Sequence, residues 1–193
     1  MAAYASSIRE GRRQQRLAHK ALATHGGGEF IDQLTDLQVR ERAALTPAQI
    51  TKQFHAIGRG AAKGRRRTPA IIRRHRMPEP QTIGGISEWW SIGFVTDVIL
   101  TRDVWMHRVD LSRAIGRPLR LSADHDGELI ADMAREWAGR HGQPFRLHLT
   151  GPVGGAWSSG TDGETLEVDA LEFCRILSGR EPGNGLLATP VPF

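Results

Sequence analysis

Between Ser87 and Pro118 the chain reads SEWWSIGFVTDVILTRDVWMHRVDLSRAIGRP. Ser87 is a start signal for a helix, and Gly116 followed by Pro118 is a stop. The residues between include Trp89, Trp90, Phe94, Val98, Leu100, Trp105 and Leu111. So many large apolar side chains on one amphipathic segment must be buried, so this segment is expected to be the core helix of the protein. Trp89, Trp90 and Trp105 are expected in the core.

The flanking sequence falls into two kinds. Before this helix the signals are helical. AYASSIREGRRQQRLAHKALATH runs up to Gly26-Gly27-Gly28, which should end a helix. Ile31, Leu34, Leu37 and Leu45 recur at helical spacing. Thr46-Pro47 with Gln49 is an N-cap, a first-turn proline and a capping box. Thr68-Pro69 repeats the start. Met77–Gly85 is a loop by composition. After Pro118 comes an amphipathic helix ended by Gly142. Phe145, Leu147 and Leu149 then alternate with Arg146, His148 and Thr150, which predicts a half-buried strand. GGAWSSG and ETLEVD flank a Thr161-Asp162-Gly163 turn between two further strands. Asp169 caps a last helix that Gly179 stops, and the tail from Arg180 is irregular. The expectation is an α+β chain with a helical bundle over 1–118 and a small α/β domain over 119–193.

Charge divides differently. Residues 1–77 hold 16 Lys/Arg against 5 Asp/Glu, net +11, and residues 78–193 hold 10 against 16, net −6. The densest basic run is KGRRRTPAIIRRHR, Lys63–Arg76. It reads as a phosphate-binding patch, or as a solvated face or an anchor on the acidic half of the same chain. No aromatic residue interleaves it for base stacking, so a nucleic-acid partner is not expected. No run approaches the ~18 apolar residues of a membrane span, and the N-terminus has no apolar core of signal-peptide length. It reads as a weak amphipathic transit peptide or a first helix. The single cysteine, Cys174, excludes a disulfide framework. A cytoplasmic protein without a membrane partner is expected.

Asp103, His107 and Asp110 lie four and three residues apart on the core helix, hence on one face. An aspartate and a histidine at that spacing form either an exposed ion pair or two ligands of one divalent metal. Asp124, His125, Asp126 and Glu128 are too closely spaced for a calcium loop and read as the acidic first turn of a helix. Cys174, among Leu171, Phe173 and Leu177, reads as buried and inert. His55, beside Phe54 and Ile57, reads as a core or boundary histidine.

TRDVWMHRVDLSRAIGRPL resembles a signature of the mycothiol-dependent maleylpyruvate isomerase family, and VDALEFCRILSGR with GLLATPVPF resembles the end of that family's C-terminal domain. The resemblance is strongest over residues 85–193. It implies a DinB-like helical bundle followed by a small sterol-carrier-like α/β domain. It implies a divalent metal, usually zinc, mycothiol as thiol cosubstrate, a small-molecule substrate of unassigned identity and an actinobacterial source. On the matching positions Asp103 and His107 are the metal ligands. The family's carboxylate ligand is commonly Glu. Asp110 matches a family Asp behind the ligands that orients His107 or a neighbour. The family's early helix, with a tryptophan and then a histidine that completes the ligand set, has no counterpart here. Either the reading frame starts late or this member has lost that helix, and a bundle without it is expected to expose an apolar groove and to form a homodimer or be poorly stable. His19, His25, His55 and His75 do not sit in the context of the missing ligand. A second reading is a non-catalytic, truncated binding or regulatory module with a basic surface for an acidic partner.

Overall fold

Thr46 begins its helix as the capping box predicts. Its hydroxyl accepts from the Gln49 amide, and the Gln49 side chain accepts from the Thr46 amide at 2.8 Å. The computed structural model describes residues 8–25 and 30–193. Its first unit, residues 1–69, holds α1 (Ile8–His25), α2 (Phe30–Arg42) and α3 (Pro47–Arg67). The Gly26–Gly28 stop and the Ile31 side chain lie outside the described residues.

Helices α1 and α2 form a hairpin with a polar seam. Gln14 and Gln38 are buried and share a hydrogen bond, and Gln14 also donates to Glu41 at 3.0 Å. Arg13, beside Glu41, holds that carboxyl below the ordinary range against the opposing effect of burial. Helix α3 is unlike its neighbours in that none of its residues is buried. Its interior glycines, Gly58, Gly60 and Gly64, have open space where a Cβ would be. Each costs the helix about 1 kcal/mol relative to alanine. His55 is exposed, not at a core boundary, because the face of α3 it belongs to has no cover.

The second unit, residues 70–193, opens with α4 (Ala70–Arg74). Thr68 does not cap it. That hydroxyl turns back to donate to the Gly64 carbonyl at the end of α3. The Met77–Gly85 stretch is only partly loop. Strands β1 (Gln81–Ile83) and β2 (Ile86–Glu88) form a hairpin across Gly84-Gly85, whose φ angles of 57° and 81° are left-handed at both turn positions. The hairpin takes Ser87, so the core helix starts at Ser91, whose hydroxyl accepts from the Phe94 amide at 3.0 Å. It runs as α5 (Ile92–Phe94), a π turn (Val95–Ile99) and α6 (Leu100–Ile115), and Gly116 stops it at φ 64°. Of the three tryptophans expected in the core, only Trp105 is there. Trp89 is 54% exposed, and Trp90 is half-buried, edge-on to Phe94.

A π turn (Ala123–Gly127) leads into α7 (Glu128–His141), followed by β3 (Phe145–Thr150), β4 (Gly155–Ser159), β5 (Glu164–Asp169) and α8 (Ala170–Leu177). The sheet order is β4-β3-β5, antiparallel between β3 and β4 and parallel between β3 and β5. Thr161-Asp162-Gly163 therefore joins strands that are not neighbours. It passes the start of β3 from one sheet edge to the other, so close that a Cβ on Gly163 would lie 2.1 Å from the Pro144 carbonyl carbon.

The sheet buries Phe145, Leu147 and Leu149 against Met133 and Trp137 of α7 and Phe173, Cys174 and Leu177 of α8. Trp105, Met106 and Val109 of α6 belong to the same core, as does Val191 of the tail. The boundary expected near residue 118 thus falls inside the second unit. Three buried side chains on one face of α6 tie that helix to the sheet domain. Among the described residues no helix is long and apolar enough to cross a membrane.

Candidate functional site

The face of α6 that enters the core is set by Arg102, Trp105, Met106 and Val109, at helical spacing. Asp103, His107 and Asp110 are each rotated about 100° from those positions. They lie on the rim of the helix, not inside it, with side chains 35%, 38% and 33% exposed. His107 stands between the two carboxylates. Its Nε2 is 3.2 Å from Asp103 Oδ1, and its Nδ1 is 3.3 Å from Asp110 Oδ2.

Asp110 is held from the other end of the chain. Arg180 Nε is 3.1 Å from both carboxylate oxygens, and its Nη2 is 3.0 Å from Oδ2. Arg175 Nη1 is 3.7 Å from Oδ1. Local structure explains why Arg180 reaches this point. Asp169 caps α8 by accepting from the Leu171 and Glu172 amides, and Gly179 ends it at φ 75°. The Arg180 amide then closes back on the Arg175 carbonyl at 2.9 Å, which fixes where the next side chain leaves the helix. Arg175 is itself clamped by Glu181 at 2.6 Å and Glu172 at 3.3 Å; the Glu181 contact first of all, and then Glu172, raise its pKa, against burial.

The three residues predicted from sequence are therefore together. The two arginines behind them were not predicted. Arg180 is 70 positions from Asp110, and no local pattern links them. The one readable signal was the Gly179 helix stop directly before an arginine.

The donor set constrains what the site can hold. Two zinc ligands at ordinary bond lengths and a tetrahedral angle are about 3.4 Å apart. The 3.2 Å between Asp103 Oδ1 and His107 Nε2 fits two such ligands. Asp110 faces the other ring nitrogen, so it cannot share that metal. It occupies the position of a carboxylate that orients a metal-bound imidazole. Among the described residues no three His, Cys, Asp or Glu side chains converge as ligands. Asp103 and His107 thus fit two positions of a centre that needs three protein ligands.

Two other chemistry-bearing residues are spoken for. Cys174 is fully buried, and burial pushes its thiol well above the ordinary range, so it is not a nucleophile. Asp126 accepts from the Trp105 indole at 2.7 Å, from the Ser122 amide at 2.7 Å and from Arg108 at 3.0 Å. Burial pushes its carboxyl up, but these donors outweigh it and hold the pKa below the ordinary value. The acidic DHDGE stretch is thus a helix start tied to the core, as its composition predicts. Comparison of the chain with models of known families, with curated proteins and with solved structures gives no match.

Proposed function

We propose that the chain is a metal-binding, thiol-dependent isomerase or transferase of the mycothiol-dependent maleylpyruvate isomerase type, acting on a small molecule. In this reading the helices belong to a DinB-like bundle and the sheet to a sterol-carrier-like module. The observation that carries it is the placement of a carboxylate at each nitrogen of His107, with the outer carboxylate anchored by Arg180. Asp103 and His107 would hold the metal, zinc being the ion their chemistry suits, and a third donor lies outside the pair. The metal, when bound, would keep the thiol of mycothiol as a thiolate. The chain's own residues do the rest of what can be derived. Asp110 fixes the His107 ring through Nδ1 and leaves Nε2 toward Asp103. Arg180 keeps Asp110 in that position.

The test is metal content per chain, measured by elemental analysis on tag-free protein purified without added metal. Near one zinc per chain, lost in His107→Ala, supports the reading. Metal-free wild-type protein that is folded by circular dichroism rules it out. One observation favours the alternative of a non-catalytic module for an acidic partner. Asp103 and His107 make only two ligands, and a polar contact of 3.2 Å between neighbours on a helix rim accounts for them as well.

A further inference from the structure

We propose that α3 is a peripheral docking helix for an anionic lipid surface. It carries two unmet demands at once. The first is apolar. Ile50, Phe54, Ile57 and Ala61 recur at spacings of four, three and four, which makes one stripe along a helix of about 31 Å. Ile50 is 42% exposed and Phe54 48%, and no residue of the helix is buried. The second is electrostatic. Helix α3 holds six Lys/Arg and no Asp/Glu. At 100° per residue Lys52, Arg59, Lys63 and Arg66 line the face opposite the stripe. None of these four has a carboxylate partner among the described residues, whereas Arg102, Arg140, Arg175 and Arg180 are each ion-paired.

The helix also lacks the support that ordinarily holds one. Its three interior glycines each weaken it, and nothing packs where their side chains would be. Most helices in proteins are held by a packed apolar face; here Ile50 and Phe54 are exposed and Ile57 and Ala61 are only half-buried. An anionic bilayer meets both demands. The acyl boundary takes Ile50, Phe54 and Ile57, and headgroup phosphates take the cations. A nucleic acid would satisfy the cations and leave the stripe in water, with Phe54 on the face away from the phosphates. A second copy would cover the stripe but bring two helices of charge +6 together. The proposal concerns α3 alone and stands apart from the metal reading.

The experiment is co-sedimentation of the full chain with vesicles of phosphatidylcholine, and of phosphatidylcholine with phosphatidylglycerol at roughly three to one. At about 50 mM salt the anionic vesicles should carry down at least about tenfold more protein than the neutral ones, and about 500 mM salt should abolish the difference. Helical circular dichroism should rise with binding. Phe54→Asp, and separately the triple change Arg59→Glu, Lys63→Glu, Arg66→Glu, should each reduce sedimentation at least about tenfold. Both alter exposed side chains, and unchanged thermal unfolding checks that the fold survives. Absence of sedimentation with anionic vesicles at low salt overturns the proposal. So does binding that Phe54→Asp leaves intact, especially with equal affinity for duplex DNA, because the stripe would then be idle. A dimer in analytical ultracentrifugation that Phe54→Asp dissociates, without vesicle binding, gives the stripe to a second copy. None of these results touches Asp103 or His107, so failure here leaves the zinc measurement to decide the other reading.

Discussion

Trp105 does two jobs in the second unit. Its ring fills the core at 2% exposure, and its indole N–H satisfies the buried carboxylate of Asp126. Trp105→Phe keeps most of the volume and removes the donor. The expected cost is about 1–3 kcal/mol in urea unfolding, the range for a buried acceptor that loses a partner. Asp126 adds a pH signature of known sign. Its pKa is lowered in the fold, so its contribution is complete above the ordinary carboxylate range and is lost as pH falls through its folded value. With the indole donor gone, acid unfolding of Trp105→Phe should begin at higher pH than in the wild type. At the rim of α6, Arg180→Ala removes the two-pronged hold on Asp110 and leaves His107 and Asp103 untouched. Stability should change by less than about 1 kcal/mol, since the pair is part-exposed. If the site binds zinc, affinity should fall by about tenfold at most, because Asp110, which orients His107, remains and Arg175 still lies 3.7 Å from it. Urea unfolding of the metal-free protein reads the first, and a titration of zinc against a competing chelator reads the second.

The element scale separates glycines that geometry demands from glycines that it tolerates. Gly163 lies where the β4–β5 connection passes the start of β3, and an added Cβ would overlap the Pro144–Phe145 peptide. Gly163→Ala should cost more than about 4 kcal/mol or prevent folding, because backbone cannot move aside as a flexible side chain does. Gly58→Ala in α3 meets nothing within 4 Å and should raise helical circular dichroism, with a gain of about 0.5–1 kcal/mol for that helix. The end of α7 supplies the second pH effect. His141 packs against Trp137 and Phe145, accepts from the Gln143 amide through Nδ1, and has a buried Nε2 with no partner. Burial lowers its pKa, and the nearby Glu164 only partly opposes this. The unfolded chain then takes up the proton first, and stability falls as pH drops below about 6.5 toward the folded value. Thermal unfolding midpoints between pH 8 and pH 5 should decline in the wild type and stay flatter in His141→Asn, which keeps an acceptor for Gln143 without titrating in this range.

Across the whole molecule the second unit is closed by an arginine. Arg102 is 2% exposed, pairs with Asp132 at 2.7 Å and Glu136 at 2.6 Å, and donates to the Pro192 carbonyl at 3.1 Å. It links α6, α7 and the tail that brings Val191 into the core. Arg102→Ala should cost about 3–5 kcal/mol in chemical denaturation, and Arg102→Met clearly less, because methionine refills the space. The same arginine shows how far the sequence could be read. Thr46, Gly116, Asp169, Gly142 and Gly179 act through amides and carbonyls within a few residues, so the helix limits they set were legible. The alternation of Phe145, Leu147 and Leu149 fixed a strand with one buried face for the same local reason. So did the spacing that puts Asp103, His107 and Asp110 on one face of α6. Local rules were silent on competition between elements. A glycine pair at 84–85 and a partner strand claimed Ser87 before a helix could start there. They were silent on strand order, since β3 accepts β4 and β5 on its two edges, and on which face of α6 the core would take. Asp103, His107 and Asp110 ended at a half-exposed rim because Trp105, Met106 and Val109 won the core through long-range packing. Arg180 reached Asp110 across 70 residues for the same reason. Neighbours along the chain set most helix and strand limits and which side chains share a face, Ser87 and Thr68 being the starts that failed. Only the tertiary structure decided which faces are covered and which charges are paired, and that Lys52, Arg59, Lys63 and Arg66 have no carboxylate partner among the described residues, because those depend on what the fold brings near.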